Sequence, residues 1–537
     1  MLGKSCCLIL LLITAASLFA SHSNSFPLST NNRWIINSTG QRVKLHCVNW
    51  SAHLNAMLVE GLEVQLLKDI VGQVKNLGFN CVRLTWATYM FTRHATARVG
   101  ETLDSLGLTG VKAGITQYNP FILNMTHVDA YASVVDELGM QGLMVVADNH
   151  VSDPKWCCSD NDGNGFFGDK EFNPDEWLQG LSMVANRFRG KAQVVAMSLR
   201  NELRGPNQNQ NAWYNYMSQG ATTVHQANPD VLVIVSGLSY DLDLSFLKTK
   251  PLGVNIGNKL VHEAHLYAWS RGSADAWTNQ PVNRVCSETI QGLNDRAGFL
   301  MSGPNPVPLF MSEFGFDMRR DQNSDRFLSC VLSFLAGVDL DWALWTLQGS
   351  YYIRQAAVTT ATATLFEEEF GVLNDDWKTI RYPEFPHRFQ LVEKMLQDPS
   401  SSSPNSYIMF HPMSGQCVQA NNNEVEVGDC GGKTRWIQQG QQIKVVDTGL
   451  CMKAVGDGSS PILSNDCSSE QSSWQTLSAS NLHLGASDGH GQTLCMQRES
   501  PSSSKIVTTK CICVDDDPAC LDNPQSQWFR LVSTNVD

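Results

Sequence analysis

The 537-residue sequence predicts an α/β chain: a (β/α)8 TIM barrel followed by a smaller all-β trefoil domain. Three observations carry this. Eight apolar runs of strand length recur with helix-length segments between them, at residues 43–50, 80–86, 143–150, 194–202, 231–236, 260–269, 308–314 and 341–347. A Ser/Pro-rich stretch, DPSSSSPNS at residues 398–406, then breaks the pattern, because such a composition cannot bury apolar surface. Beyond it one motif returns three times.

The chain opens with Lys4 and an apolar run at residues 6–20 (CCLILLLITAASLFA), followed by the polar SHSNS. The run is short for a bilayer span, and the pattern predicts a cleaved signal peptide over residues 1–20 and a secreted, extracellular protein. Leu18 departs from the small residue that a cleavage site favours there. Later segments offer no stretch of about eighteen uninterrupted apolar residues, and the terminal LVSTNVD has no apolar tail, so no membrane is expected as partner. Three sequons begin at Asn37, Asn49 and Asn124 and suit a secreted glycoprotein. The formal net charge of −13 repels phosphate backbones and there is no block of Lys and Arg, which excludes nucleic acid.

The barrel is expected over residues 30–397. Helical segments fall at 63–77, 128–138 and 174–187, the last with Pro174 in a first-turn position. A doubly wound sheet would need a phosphate loop, and neither G-x-G-x-x-G nor a Walker pattern occurs. After the linker, at residues 407–533, GQCVQ at 415 returns as GLCMK at 449 and TLCMQ at 493. Each copy adds a second cysteine (Cys430, Cys467, Cys511) and a tryptophan (Trp436, Trp474, Trp528). Three repeats of about 40 residues suit a trefoil whose tryptophans meet in a shared core. Within-repeat pairs Cys417–Cys430, Cys451–Cys467 and Cys495–Cys511, with Cys513 and Cys520 pairing locally, are the simplest arrangement, although spacing leaves the connectivity open.

Catalytic side chains of such barrels project from the C-terminal strand ends. Here those ends carry Arg83, Asn149 and His150, Asn201 and Glu202, His265 and Tyr267, Glu313 and Trp345. A single Glu at a strand end is usually a solvated terminus. Polar residues at the same end of six strands are hard to explain by packing, since an unpaired buried charge costs several kcal/mol. Two carboxylates facing across a barrel mouth suit glycoside hydrolysis, one protonating the glycosidic oxygen and the other attacking the anomeric carbon. The competing reading, a non-catalytic carbohydrate-binding protein, has no need of the glutamate pair. His46 and His262, flanked by apolar strand residues, read as structural.

With these residues in view, the segments CVRLTW, ADNHVS, SLRNEL, EAHLYAW, FMSEFGF and WALWTLQGS resemble glycoside hydrolase family 5, the cellulase family, over roughly residues 34–397. The resemblance implies a retaining mechanism on β-linked glycosides in a polysaccharide or oligosaccharide, without a cofactor. It assigns Glu202 as acid/base and Glu313 as nucleophile. Asn201 suits the sugar 2-hydroxyl, His150 and His265 the orientation of substrate and acid/base, and Trp345 stacking under the ring. An ionised Glu313 would be favoured by Arg83 and Tyr267, and a protonated Glu202 by a less charged pocket.

Two features follow the third strand. Trp156-Cys157-Cys158 offers a vicinal pair that, if joined, makes a rigid apolar platform for sugar, with other pairings equally open. Asp160, Asp162, Asn164, Gly165 and Glu171 match the spacing of a calcium loop, but without a preceding helix and in turn-forming composition. No metal is assigned. The C-terminal repeats resemble a ricin B-type lectin over about residues 407–531, which implies a second glycan at the trefoil. They depart from that family where Gln419, Lys453 and Gln497 replace its binding Asp, and where Thr434, Ser472 and Ser526 stand two residues before each tryptophan.

Overall fold

The computed structural model describes residues 26–354, 357–358, 366–515 and 517–536. The expected signal peptide over residues 1–20 lies outside the described residues. Eight parallel strands close into a barrel: β1 (His46–Trp50), β2 (Cys81–Ala87), β3 (Met144–Val151), β4 (Val194–Ser198), β5 (Leu232–Val235), β6 (Leu260–Leu266), β7 (Leu309–Phe314) and β8 (Asp341–Leu344). β8 pairs with both β7 and β1. The predicted fourth, sixth and eighth strands ran to residues 202, 269 and 347. In the structure they leave the ladder at Ser198, Leu266 and Leu344, and their last residues turn over the barrel mouth.

The pleat sorts the side chains by layer. At the N-terminal end of the barrel, Cys47, Cys81, Met144, Val146, Leu232, Ile234, Val261 and Phe310 form an apolar interior cluster, closed from below by Leu28 and Ile35 of an N-terminal hairpin. Two residues further along the same strands, Asn49, Arg83, Asp148 and Glu263 are fully buried polar groups. The opposite faces, with Val82, Leu84 and Val145, pack under the outer helices. These helices include Leu67–Asn76, His127–Met140, Pro174–Arg187, Gln210–Ala227, Val282–Arg296, Gln322–Val338 and Phe385–Glu393. Their starts follow local chemistry. The Thr126 hydroxyl accepts the Asp129 N–H at 3.1 Å, and the Asn173 side chain accepts the Glu176 N–H at 3.0 Å with Pro174 in the first turn. None of the helices among the described residues is long and apolar enough to cross a membrane.

Antiparallel strands make up the C-terminal domain, with the three within-repeat disulfides and Cys513–Cys520 as expected. Cys47–Cys81, Cys157–Cys158 and Cys286–Cys330 complete the described pairs. Trp436 and Trp474 lie in the domain core and donate their indole N–H to the carbonyls of Val418 and Met452, at 3.3 and 2.8 Å. The third repeat departs from expectation. Trp528 packs with the barrel's core and donates to Asn283 Oδ1 at 3.0 Å, while Phe529 takes the place in the domain core. The backbone agrees: Phe529 N–H bonds Leu482 O at 2.7 Å, as Trp474 N–H bonds Gln441 O at 2.7 Å. The residue two positions before the core aromatic is then Gln527 and not Ser526, and it donates to Gln497, Thr509 and the Lys510 carbonyl.

This repeat is seated on the barrel, as is the first, whose Phe410, Cys417 and Cys430 join the same core. Asn283 also donates to the Cys513 carbonyl at 2.7 Å, and Gln525 bonds Ser329, which accepts from Arg388 at 2.8 Å. The Ser/Pro stretch is not a free tether either: Asp398 and Asn535 exchange two hydrogen bonds at 2.8 and 2.9 Å. Gly415 shows how close the two domains come. It has φ +74°, and a Cβ there would stand 2.2 Å from the His387 carbonyl oxygen.

Only one sequon asparagine is free to carry a glycan. Asn49 is fully buried, donating to the Ser312 and Leu344 carbonyls at 3.1 and 3.2 Å, and Asn37 is 8% exposed with its Oδ1 accepting from Thr39 and Gln41. Asn124 is exposed. Directed through the secretory route of a eukaryotic host, the chain is expected to carry glycan at Asn124 and none at Asn37 or Asn49, as peptide mapping after deglycosylation in heavy-oxygen water would read.

Candidate active site

The polar layer of the barrel converges on Arg83. Its Nη1 lies 2.7 Å from Glu313 Oε1 and donates to Asn49 Oδ1 at 3.0 Å. Its Nη2 donates to Asn201 Oδ1 at 2.9 Å and faces Asp148 at 3.0 Å and Glu263 at 3.6 Å. Burial acts to lower the Arg83 value, but Asp148, Glu313 and Glu263 together outweigh it and hold the guanidinium above the ordinary arginine range. It is a fixed cation. Glu313, at the end of β7, also accepts the Tyr267 hydroxyl at 3.0 Å.

Glu202 comes from the turn after β4, where its backbone adopts φ +44° and its N–H is held by Asp241 Oδ2 at 3.0 Å. A non-glycine residue in the left-handed region is uncommon, and such positions gather at functional sites. The carboxylate meets His265 Nδ1 at 3.0 Å, and the same nitrogen is 3.7 Å from Glu313. His265 Nε2 is fixed in turn by Ser312 Oγ at 3.1 Å. The reactive atoms of Glu202, His265 and Glu313 lie within 4.8 Å of one another.

Burial acts on both carboxyls in the same direction, and their contacts differ. Burial raises Glu202 to about 7, with Arg204 and Arg83 only partly opposing it. Burial also raises Glu313 above the usual carboxylate value, against the pull of His265 and Arg83. Only Glu313 has a guanidinium in direct contact. His265 and His150 are both pushed down by burial and are neutral near pH 7.

His150 completes the other wall. Its Nδ1 bonds Asp148 at 2.7 Å, its Nε2 is 3.4 Å from Asn201 Nδ2, and its ring stacks on Trp345 with centroids 5.6 Å apart and planes 16° from parallel. Arg83, His150, Asn201, Glu202, His265, Tyr267, Glu313 and Trp345 are thus brought together at one mouth of the barrel.

Asn149 is not among them, which corrects the expectation. It pairs with Trp86 across the β2–β3 ladder and points outward with it, where its amide donates to Thr88 at 3.1 Å and accepts from Arg200 at 3.2 Å. With a period of two, Asp148 and His150 face inward and the residue between them cannot. The same rule could have found Asp148 and Glu263, each two residues before a selected histidine. Asn49, Asp241, Ser312 and His53, whose ring lies 4.0 Å from that of His150, carried no comparable local signal. His46 and His262 lie outside the site, lowered by burial to about 3 and about 4.

The calcium-like spacing is occupied by protein groups. Asp162 Oδ2 pairs with Arg204 at 2.6 Å, Asn164 Oδ1 accepts the N–H groups of Ser152 and Asp153 at 2.9 and 3.0 Å, Asp160 accepts the Tyr240 hydroxyl at 2.8 Å, and Glu171 pairs with Lys170 at 2.8 Å. The four side chains turn to separate protein partners, and Arg204 and Lys170 supply the positive charge. They do not fit a cation.

Comparison with known proteins agrees with this architecture. Residues 27–350 match the model of the cellulase family, glycosyl hydrolase family 5. A glycosyl hydrolase 5 family protein of Chamaecyparis obtusa is 42% identical over 536 residues, covering 96% of this chain and 95% of that protein. An endoglucanase of Paenibacillus polymyxa is 19% identical over 66% of this chain and 84% of its own length. Among solved structures, the catalytic domain of the major endoglucanase of Xanthomonas campestris superposes with a TM-score of 0.53 at 20% identity, covering 68% of this chain and 98% of that one. The cellotetraose complex of an endocellulase from Pyrococcus horikoshii gives 0.55 at 17% identity, over 69% and 99%. A match over more than half the chain, together with a full-length relative, makes this chain a member of glycosyl hydrolase family 5 and a glycosidase.

Proposed function

We propose that this glycosidase cleaves β-linked glycans with retention of anomeric configuration by double displacement. The observation that supports this reading is that a carboxylate oxygen of Glu202 and one of Glu313 lie within 4.8 Å of each other. Retaining enzymes hold their carboxyls about 5–5.5 Å apart, whereas inverting ones leave roughly 6.5–9.5 Å for a water. Glu202, kept protonated by burial, donates to the departing glycosidic oxygen while Glu313 attacks the anomeric carbon. The leaving alcohol departs and a glycosyl ester forms on Glu313. Glu202, now ionised, takes a proton from water, whose oxygen displaces Glu313 and receives the sugar. Arg83 and Tyr267 steady the Glu313 carboxylate, His265 sets the position of Glu202, Asn201 takes the 2-hydroxyl, His150 orients the ring, and Trp345 stacks beneath it. A neutral β-glucan is the favoured substrate, since relatives bear the names endoglucanase and endocellulase. Monitoring the first-formed anomer by NMR during hydrolysis of a cello-oligosaccharide tests the proposal: the β-anomer is expected first, and the α-anomer refutes retention.

The pH dependence follows from Glu202. Its folded value near 7 means that the acid form is present below that pH and is lost above it. The kcat/KM profile is expected to fall on its alkaline side with an apparent value near 7, and Glu202→Gln to lose that limb. A profile flat to pH 9 would remove Glu202 from the acid role.

The C-terminal domain reads as a ricin B-type trefoil from its threefold repeat, its within-repeat disulfides and Gln527. It is docked on the barrel through Asn283 to the Cys513 carbonyl and Ser329 to Gln525. The positions where sugar would be held are engaged internally, Gln419 with the Asp429 carbonyl at 3.1 Å, Lys453 with Asp466 at 2.6 Å, and Gln497 with Thr509 at 2.8 Å. Titration with galactose, lactose and cello-oligosaccharides decides whether a second glycan binds there. Export to an extracellular compartment is proposed from the leader-like run, and the disulfide pairs suit an oxidising environment.

A further inference from the structure

The loop between β3 and the Pro174–Arg187 helix carries more internal bracing than a surface connection requires. Asn164 gathers the N–H groups of Ser152 and Asp153. Arg204 reaches across to Asp162 and, through Nε, to the Ser159 carbonyl at 3.2 Å. Arg200 donates to the Asn164 carbonyl at 2.6 Å. Both arginines flank Asn201 and Glu202, so the loop is clamped to the segment that presents the acid/base.

What the clamp positions is the joined pair Cys157–Cys158. Both cysteines are half-buried, and both sulfurs stand 3.8 Å from Asn201 Nδ2 and within 4.8 Å of a His150 ring nitrogen. Trp156 lies edge-on to Tyr351 at 5.1 Å and closes the loop's far side. The Asn201 amide therefore has only weak partners on this side, two sulfurs and a histidine nitrogen at 3.4 Å. A sugar hydroxyl is the better acceptor, and any ring that takes it must lie against the sulfurs.

We infer that the Cys157–Cys158 disulfide is a sugar-contacting wall of the catalytic cleft, packing against the C–H face of the pyranose held by Asn201. A disulfide offers a polarisable, apolar surface without hydrogen-bond donors. A ring with all substituents equatorial turns only C–H groups toward it, whereas an axial hydroxyl or a branch on that face would lose its water against sulfur. The wall therefore selects an unbranched, gluco-configured ring over a manno-configured or substituted one. This inference rests on the proposed β-glycan reading.

The experiment is a crystal structure of Glu313→Ala soaked with cellotetraose, together with kinetics of Cys157→Ser/Cys158→Ser. In the complex a sugar carbon is expected within about 4.5 Å of a Cys157 or Cys158 sulfur, and a nearest approach beyond that distance overturns the wall. In the double variant KM for cellotetraose is expected to rise about tenfold while preference for cellotetraose over mannotetraose falls, with the Asp162→Asn variant, which loosens the loop but keeps the disulfide, retaining the preference. An unchanged preference in the double variant overturns the wall even if the loop has shifted. Wild-type enzyme inactive on every β-linked glucan and mannan would instead refute the functional reading, and the wall with it.

Discussion

Glu313→Ala is expected to lose hydrolysis of β-glucan by at least about 10⁴-fold, since the covalent route depends on this one carboxylate. The fold should survive, and the reason is electrostatic. Arg83 keeps Asp148 at 3.0 Å and Glu263 at 3.6 Å, so its charge stays compensated without Glu313. Glu313 is itself raised by burial, which marks its ionised form as a cost to the folded state. The unfolding midpoint should therefore be equal to or above that of the wild type. The partner variant behaves differently. In Glu202→Ala the first step needs no acid when the leaving group is 2,4-dinitrophenolate, so such a glycoside should still burst, and added azide should accelerate turnover and yield the β-glycosyl azide. Equal loss on activated and natural substrates in both variants would contradict the division of roles, and full activity in Glu313→Ala would end the mechanism.

Asp339→Ala is expected to cost about 3–5 kcal/mol of barrel stability, the range found when one partner of a buried ion pair is removed. Asp339 closes the Gln322–Val338 helix in a left-handed conformation and is buried beneath the barrel. Its carboxylate pairs with Arg42 and, at 2.7 Å, with Lys44, and it accepts the N–H groups of Leu396 and Gln397 at 3.0 and 2.8 Å. It thus ties the chain that leaves the barrel to the strand that begins it. Burial would raise its value, but Lys44 and Arg42 outweigh burial and hold it below the ordinary range. A depressed folded value contributes stability that is present above the unfolded value near 3.9 and is lost as pH falls through the folded one. Urea unfolding followed by tryptophan fluorescence should show the loss at pH 7 and a smaller difference between variant and wild type below about pH 3. A change under about 1 kcal/mol would mean that the network is surface-like in strength.

Much of the site was legible because barrels place chemistry at one recurring position. Arg83, Glu202, His265 and Glu313 stand where an apolar run ends, and one-dimensional spacing suffices to select them. Asn149 shows the limit. Residues 148–150 are all polar, and only the ladder register, Asn149 beside Trp86 and Asp148 beside Thr85, reveals which of them face the barrel axis. The Asp160 to Glu171 spacing fits a cation loop until Arg204, more than thirty residues away, is seen to pair with Asp162.

The sequence by itself determined the elements: strand and helix periodicity, the helix start at Pro174, the threefold repeat and its disulfide spacing. These depend on near neighbours, and near neighbours are written in order along the chain. The tertiary structure decided what each element faces. It turned Trp528 to the barrel and Phe529 to the C-terminal core, joined Cys157 to Cys158 beside Asn201, and gathered Asp148 and Glu263 around Arg83. Burial and pairing are properties of contacts between distant segments, and the barrel's closure creates those contacts.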